Sequence, residues 1–193
     1  MLENLNKYRV ILASNSPRRK ELLAGLDIKY EIRVMAGIDE SYPAGLSGEE
    51  IPQYISRKKA DAYEESMQLD ELIITADTIV WTGEEVLGKP KDEDEARDML
   101  RRLSGQTHQV ITGVTLFTDR WKKTFSTVSD VTFSVLSDEE IDYYVLRYQP
   151  MDKAGAYGIQ EWIGYVGVES LRGSYFNVMG LPVQRLYKEL KTI

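Results

Sequence analysis

Residues 9–26, R-V-I-L-A-S-N-S-P-R-R-K-E-L-L-A-G-L, leave this chain little choice but strand, tight turn and helix. Residues 10–13 are a short apolar run of the kind a buried strand uses. Ser14, Asn15 and Ser16 are turn formers. Ser16 suits an N-cap, and Pro17 suits the first helical position, where its missing N–H costs nothing. Leu22, Leu23 and Leu26 then give the helix an apolar side, and Gly25 is its expected stop. Arg18, Arg19 and Lys20 put three cations in the first turn. The helix dipole opposes each by a few tenths to about 1 kcal/mol. An anion bound at the turn reverses that cost, because N–H groups and paired arginines together make a phosphate site. The competing reading is that the cations are solvated or bridge to acids such as Glu21.

Composition narrows the ligand. The net charge of −7 argues against non-specific nucleic-acid binding, which needs a basic surface. Clustered cations in an acidic chain point to a small anionic ligand instead. There is no cysteine, so disulfides and thiolate chemistry are excluded, and a reducing cytoplasm is expected. One histidine, His108, excludes any site needing two. At 193 residues and 42% hydrophobic, the chain can build one domain or two small lobes around a cleft. No run approaches membrane length, and no signal peptide is recognisable.

Along the chain, residues 30–35 read as a loose strand, followed by the loop A-G-I-D-E-S-Y-P, where Asp39 and Glu40 look like surface acids. Ser47 opens a predicted helix running to residue 67, with Ile51, Ile55 and Ala62 as its buried stripe. Lys59 falls on or beside that stripe; it either snorkels to solvent or points into a cleft. L-I-I-T-A-D-T-I-V-W is the strongest strand, and Asp77 in its middle is costly unless paired or bound to a metal. Thr82–Gly83 reads as a hairpin turn, and Pro90 keeps Lys89 on a loop. D-E-D-E from residue 92 opens a helix to Leu103, which Gly105 ends. Residues 110–118 and 128–136 read as strands joined by a solvated basic turn at 120–123. Ser137 and Glu140 form a second capping box, for a helix to Tyr148. M-D-K-A-G-A-Y-G-I-Q-E reads as a glycine-rich loop entering a strand, and Pro182 starts a last amphipathic helix. His108, alone at a strand start, reads as structural. The alternation of helices and strands makes the class α/β.

L-A-S-N-S-P-R-R-K-E-L-L, R-K-K-A, A-D-T, the K-P of Lys89, S-G-Q-T-H-Q-V-I-T, D-K-A-G-A-Y-G-I-Q and G-S-Y-F-N-V-M-G-L-P follow one another over nearly the whole chain. In that order they resemble the signatures of the Maf-like nucleoside triphosphate pyrophosphatases. The resemblance implies an elongated mixed-sheet fold of the Maf/ITPase type, a single domain over residues 1–193 with two lobes around a central cleft. It suggests a cytoplasmic homodimer that binds neither nucleic acid nor membrane. It implies hydrolysis of nucleoside triphosphates to monophosphate and pyrophosphate. Asp77, Lys89, Lys59 and Arg19 fall on its catalytic positions, and Glu40 with Asp77 on its divalent-metal position, for Mg²⁺ or Mn²⁺. Whether Asp77 is proton acceptor or metal ligand stays open. Arg18, Thr78 and Gln160 match positions that accompany preference for dTTP and UTP. Glu161 stands where the family carries glycine, which puts the local backbone in question. Two alternatives are a pyrophosphatase for modified nucleotides such as 7-methyl-GTP, and a nucleotide-binding regulator of cell division and septum formation.

The residue types suit that chemistry. Ser14, Arg18, Arg19, Glu40, Lys59, Asp77 and Lys89 all resist a structural explanation; four are cations and two are carboxylates. Arginines clamp phosphate oxygens through two N–H groups, lysines act as point charges, and carboxylates hold hard cations. A glutamine amide both donates and accepts, matching N3–H and the carbonyls of uracil or thymine. The plainer reading is that Thr78 is a β-former and Gln160 a loop residue.

Overall fold

The computed structural model describes residues 2–193. In chain order the elements are β1 (Arg9–Leu12), α1 (Pro17–Ala24), β2 (Glu31–Ile32), α2 (Glu50–Asp61), β3 (Glu71–Trp81), β4 (Val86–Leu87), α3 (Glu93–Leu103), β5 (Thr107–Phe117), β6 (Lys122–Phe133), α4 (Asp138–Tyr148), α5 (Trp162–Val166), β7 (Val168–Arg172), α6 (Tyr175–Met179) and α7 (Val183–Leu190). The strands form a mixed sheet of order β2-β1-β3-β5-β6-β7, with β4 added to β3. β1 runs parallel to both β2 and β3, whereas the β3–β4 and β6–β7 pairs are antiparallel. The α/β class and the mixed sheet are therefore those the sequence implies. No helix among the described residues is long and apolar enough to cross a membrane.

The chain divides into two compact units. One comprises residues 2–77, Thr112–Thr127 and Gly180–Ile193; the other comprises Thr78–Ile111 and Val128–Met179. In the first unit, α2 is docked by buried polar contacts as well as by apolar ones. Ser56 Oγ meets Thr115 Oγ1 at 3.0 Å and donates to Gln53 O, while Thr75 Oγ1 donates to Ser56 O at 2.7 Å. Gly113 lets the helix approach: a Cβ there would lie 2.3 Å from the Pro52 carbonyl oxygen. Pro52 loses nothing by this position, since first-turn N–H groups have no helical partner. Ile11, Ala60, Tyr63, Ile73 and Phe117 form a core cluster beneath. Each such large apolar side chain contributes about 1.5–3 kcal/mol on burial.

Several expected boundaries move for identifiable reasons. β2 stops at Ile32, short of residue 35, because Tyr63 Oη takes the next backbone groups, donating to Arg33 O and accepting from Met35 N. α2 begins at Glu50; Ser47 lies outside it and donates to the Glu50 carboxylate. It ends at Asp61, before a separate 3-10 turn at Glu64–Ser66; Ala60 is fully buried, and Ala62, just past the helix, packs half-buried against the same core cluster. α1 ends as expected at Ala24, but the left-handed residue is Asp27 (φ 54), not Gly25. The basic stretch divides: Arg120 stays exposed in the turn, whereas the last two residues of the stretch are in a strand. β6 starts at Lys122, which pairs with Asp61 and Glu64, and Lys123 pairs with Glu189.

In the second unit, α4 begins with the full Ser137–Glu140 capping box. α3 is capped by Asp92, but Glu95 reaches back to Lys91 N. The two helices are joined by Arg97–Asp142 (2.7 Å) and Arg101–Asp138 (2.8 Å). His108 is structural: 2% exposed, it meets Tyr157 Oη at 2.7 Å and lies edge-on to Phe133. The glycine-rich loop leads into α5 rather than a strand, and β7 follows only after that helix.

Candidate active site

The site grows from the turn before α1. Ser16 Oγ accepts the Arg19 N–H at 3.4 Å, Pro17 occupies the first turn, and buried Ser14 accepts the Ser16 N–H at 3.3 Å. The three first-turn cations separate here. Lys20 is spent locally on Asn15 Oδ1 (3.1 Å). Arg19 instead turns inward, its Nε donating to Gly180 O at 2.8 Å. Burial lowers the Arg19 pKa; Asp77 and Glu40 oppose that shift, and neighbouring Arg18 adds to it. Asp77, Arg18 and Glu40 are thus all within electrostatic reach of this one guanidinium.

Lys59 completes the cluster. Its Nζ lies 2.7 Å from Glu40 Oε1 and 2.8 Å from Asp77 Oδ1, with only 13% of its side chain exposed. The docking of α2 explains the match. Ser56 bonds Thr75, and one helical turn further Lys59 meets Asp77, two residues along β3 and therefore on the same strand face. Lys59 therefore points inward rather than snorkelling. Asp77, 8% exposed, has the partner that its place mid-strand demands. The preceding pair follows suit: Lys58 holds Asp39 at 2.6 Å. Glu40 is indeed an exposed acid, yet it reaches this cluster. Among the described residues no group of three or more acidic or histidine side chains gathers as a metal site. Mg²⁺ commonly takes one or two carboxylates and completes its shell with substrate phosphates and water, and Glu40 with Asp77 is a donor pair of that kind.

The remaining candidates belong to the second unit. Thr78, half-buried, follows Asp77 in β3. Lys89 is exposed on the loop after β4, as Pro90 predicts. Gly155 (φ +67) ties this neighbourhood together. A Cβ there would lie 2.8 Å from Val80, and its N–H donates to the Gly88 carbonyl at 3.0 Å. One turn is thereby pinned both to the strand of Thr78 and to the residue before Lys89. Gln160 follows it, with a buried Oε1 that has no hydrogen-bond partner among the described residues. Glu161 causes no backbone difficulty: its φ is −95°, where any residue sits easily. Its carboxylate is engaged by the Tyr144 hydroxyl and by Lys153 Nζ (3.1 Å). The partners chosen by Tyr144, Lys153 and the Gly180 carbonyl were not legible in the sequence, because each contact is made only when the chain folds.

Ser14, Arg18, Arg19, Glu40, Lys59 and Asp77 therefore lie in one unit, and Thr78, Lys89 and Gln160 in the other. A mixed α/β sheet thus carries a helix-start arginine pair beside a lysine-bridged pair of carboxylates, a set whose chemistry suits a class of protein that handles phosphates. The chain belongs to the Maf-like protein family, whose model matches residues 9–193. It is 66% identical over its full length, and the full length of the relative, to a dTTP/UTP pyrophosphatase of Phocaeicola vulgatus. It is 64% identical, again over both full lengths, to a dTTP/UTP pyrophosphatase of Bacteroides thetaiotaomicron. Among solved structures, a HAM1 protein from Coxiella burnetii shares the fold, with a TM-score of 0.50 and 14% identity over 96% of this chain and 100% of that one.

Proposed function

We propose that this chain hydrolyses dTTP and UTP to the nucleoside monophosphate and pyrophosphate. The observation that carries the reading is Lys59 bridging Glu40 and Asp77 beside the Arg18–Arg19 turn, in a chain 66% identical end to end to a relative so named. Arg18, Arg19, Lys59 and Lys89 bind the triphosphate oxygens and neutralise them as charge builds on the leaving pyrophosphate. Phosphoryl chemistry asks chiefly for such placement and charge. Asp77 Oδ1 is committed to Lys59, and its second oxygen takes the proton from the water that attacks the α-phosphorus. Glu40 and Asp77 would also hold Mg²⁺ or Mn²⁺, which supplies charge neutralisation on the phosphates. Thr78 and Gln160 read the base.

The test is pyrophosphate release from a panel of nucleoside triphosphates, with and without EDTA. UTP and dTTP should turn over at similar rates, ahead of CTP and the purines, and chelator should stop the reaction. A methylated guanosine triphosphate that clearly outpaces UTP and dTTP would reassign the substrate. Undiminished turnover in excess EDTA would remove the metal.

A further inference from the structure

Glu161 invites an explanation because it is a carboxylate placed where nothing in the phosphate chemistry needs one. Its surroundings form a closed ring. Gly158 N–H donates to Tyr144 Oη at 3.0 Å, the Tyr144 hydroxyl donates to Glu161 Oε2, and Glu161 Oε1 lies 3.1 Å from Lys153 Nζ. The backbone closes the same loop, with Glu161 N–H donating to Gly158 O at 3.0 Å. Tyr144 is fully buried, and the Lys153 side chain is 9% exposed and also pairs with the exposed Asp152 at 2.8 Å. Both carboxylate oxygens of Glu161 are thus engaged inside the protein.

Gln160 sits within this ring. A Cβ at Gly158 would lie 3.1 Å from Gln160 Nε2, 3.0 Å from the Glu161 carboxyl carbon and 3.1 Å from Lys153 Cε, so the amide packs over a glycine that the ring holds still. The other end of the amide, Oε1, is buried without a hydrogen bond. A buried acceptor left unpaired costs about 1–3 kcal/mol, which a ligand N–H would recover.

We infer that Glu161 is a positioning residue for base recognition: by locking the turn of residues 158–161 between Tyr144 and Lys153, it presents the Gln160 carbonyl to an N–H donor on the nucleobase. The inference rests on the dTTP/UTP reading above. It deepens that reading by naming what sets the selectivity. Uracil and thymine offer N3–H to such an acceptor, whereas cytosine offers a lone pair at N3. A fixed amide rejects cytosine; an amide free to rotate could turn its NH₂ toward that lone pair and accept it.

The test compares wild type with Glu161→Gln and Tyr144→Phe, which cut different tethers of the same ring. Steady-state kinetics with UTP and CTP are read beside thermal melts. For both variants the UTP KM should rise about tenfold with kcat within about twofold, and the UTP-to-CTP ratio of kcat/KM should fall about tenfold. Loss of the ratio in either variant that still melts cooperatively supports the inference, since a role in stability alone would not move selectivity. A wild type that prefers UTP, with a folded variant that keeps its KM and ratio, overturns the inference and leaves the pyrophosphatase reading intact. A wild type that hydrolyses neither UTP nor dTTP overturns both.

Discussion

Asp77 shows how one side chain can be read from its context. A carboxylate amid apolar β-formers needs a partner, and Lys59 with 2.8 Å separation is that partner. Asp77→Asn keeps the shape and removes the charge. Its kcat/KM for UTP should fall at least about 10³-fold, with far-UV circular dichroism unchanged. Near wild-type turnover would remove Asp77 from the chemistry. His108 makes the opposite case, a titratable group with a structural job. Burial lowers its pKa from 6.5 to about 4. The unfolded chain therefore binds a proton that the folded chain refuses, and stability is lost as pH falls from 6.5 toward 4. That window is worth about 3 kcal/mol, fully present above pH 6.5. His108→Gln, which can still meet the Tyr157 hydroxyl, should flatten this part of the stability–pH curve measured by urea unfolding. An unchanged slope would show that other groups carry it.

At the scale of elements, the placement of α2 determines where Lys59 ends up. The helix rests on β5 where Gly113 leaves no side chain, and Thr75, Ser56 and Thr115 fix its position by hydrogen bonds. A methyl at Gly113 meets backbone, not a side chain that could swing away. Gly113→Ala should therefore cost at least about 1–3 kcal/mol, a fall in Tm of several degrees. Because the helix must shift to make room, kcat/KM should drop more than the folded fraction does at 25 °C. A variant with unaltered Tm would show that the helix and strand separate easily. The caps were readable here from short stretches alone. Ser16 before Pro17, Asp92 and the Ser137–Glu140 box each bond within three residues, and all three helices start where those residues indicate. Residues 33–35 and α5 were not readable in the same way. Tyr63, about thirty positions away, ends the first as a strand, and the second is a five-residue helix with too little periodicity to see.

For the whole molecule, ligand binding should appear as stability. A ligand that binds only the folded chain adds about 2.7 kcal/mol at a hundred times its Kd, which for a chain of this size raises Tm by about 5–10 °C. A non-hydrolysable dTTP or UTP analogue with Mg²⁺ should produce that shift, the matching ATP analogue a much smaller one, and EDTA should reduce the first. Equal shifts for the pyrimidine and purine analogues would mean that the base is not read. The prediction suits an acidic chain, since its net charge of −7 gives no general attraction for a polyanion. On the proposed reading the shift comes from local cations rather than from the charge of the whole chain.

By itself, the sequence determined the local grammar of this protein: the starts of α1, α3 and α4, the hairpin after β3, the α/β class and the presence of an aspartate that needed a partner. These follow from interactions spanning a few residues, for which neighbours in sequence are neighbours in space. The tertiary structure alone decided which charge answers which. Arg19 reaches a carbonyl 161 positions away, Lys59 a carboxylate 18 positions away, and Glu161 a tyrosine 17 positions away. A side chain's charge is written in its residue type, but its partner depends on which elements pack together, and packing is set by the summed burial of many residues at once.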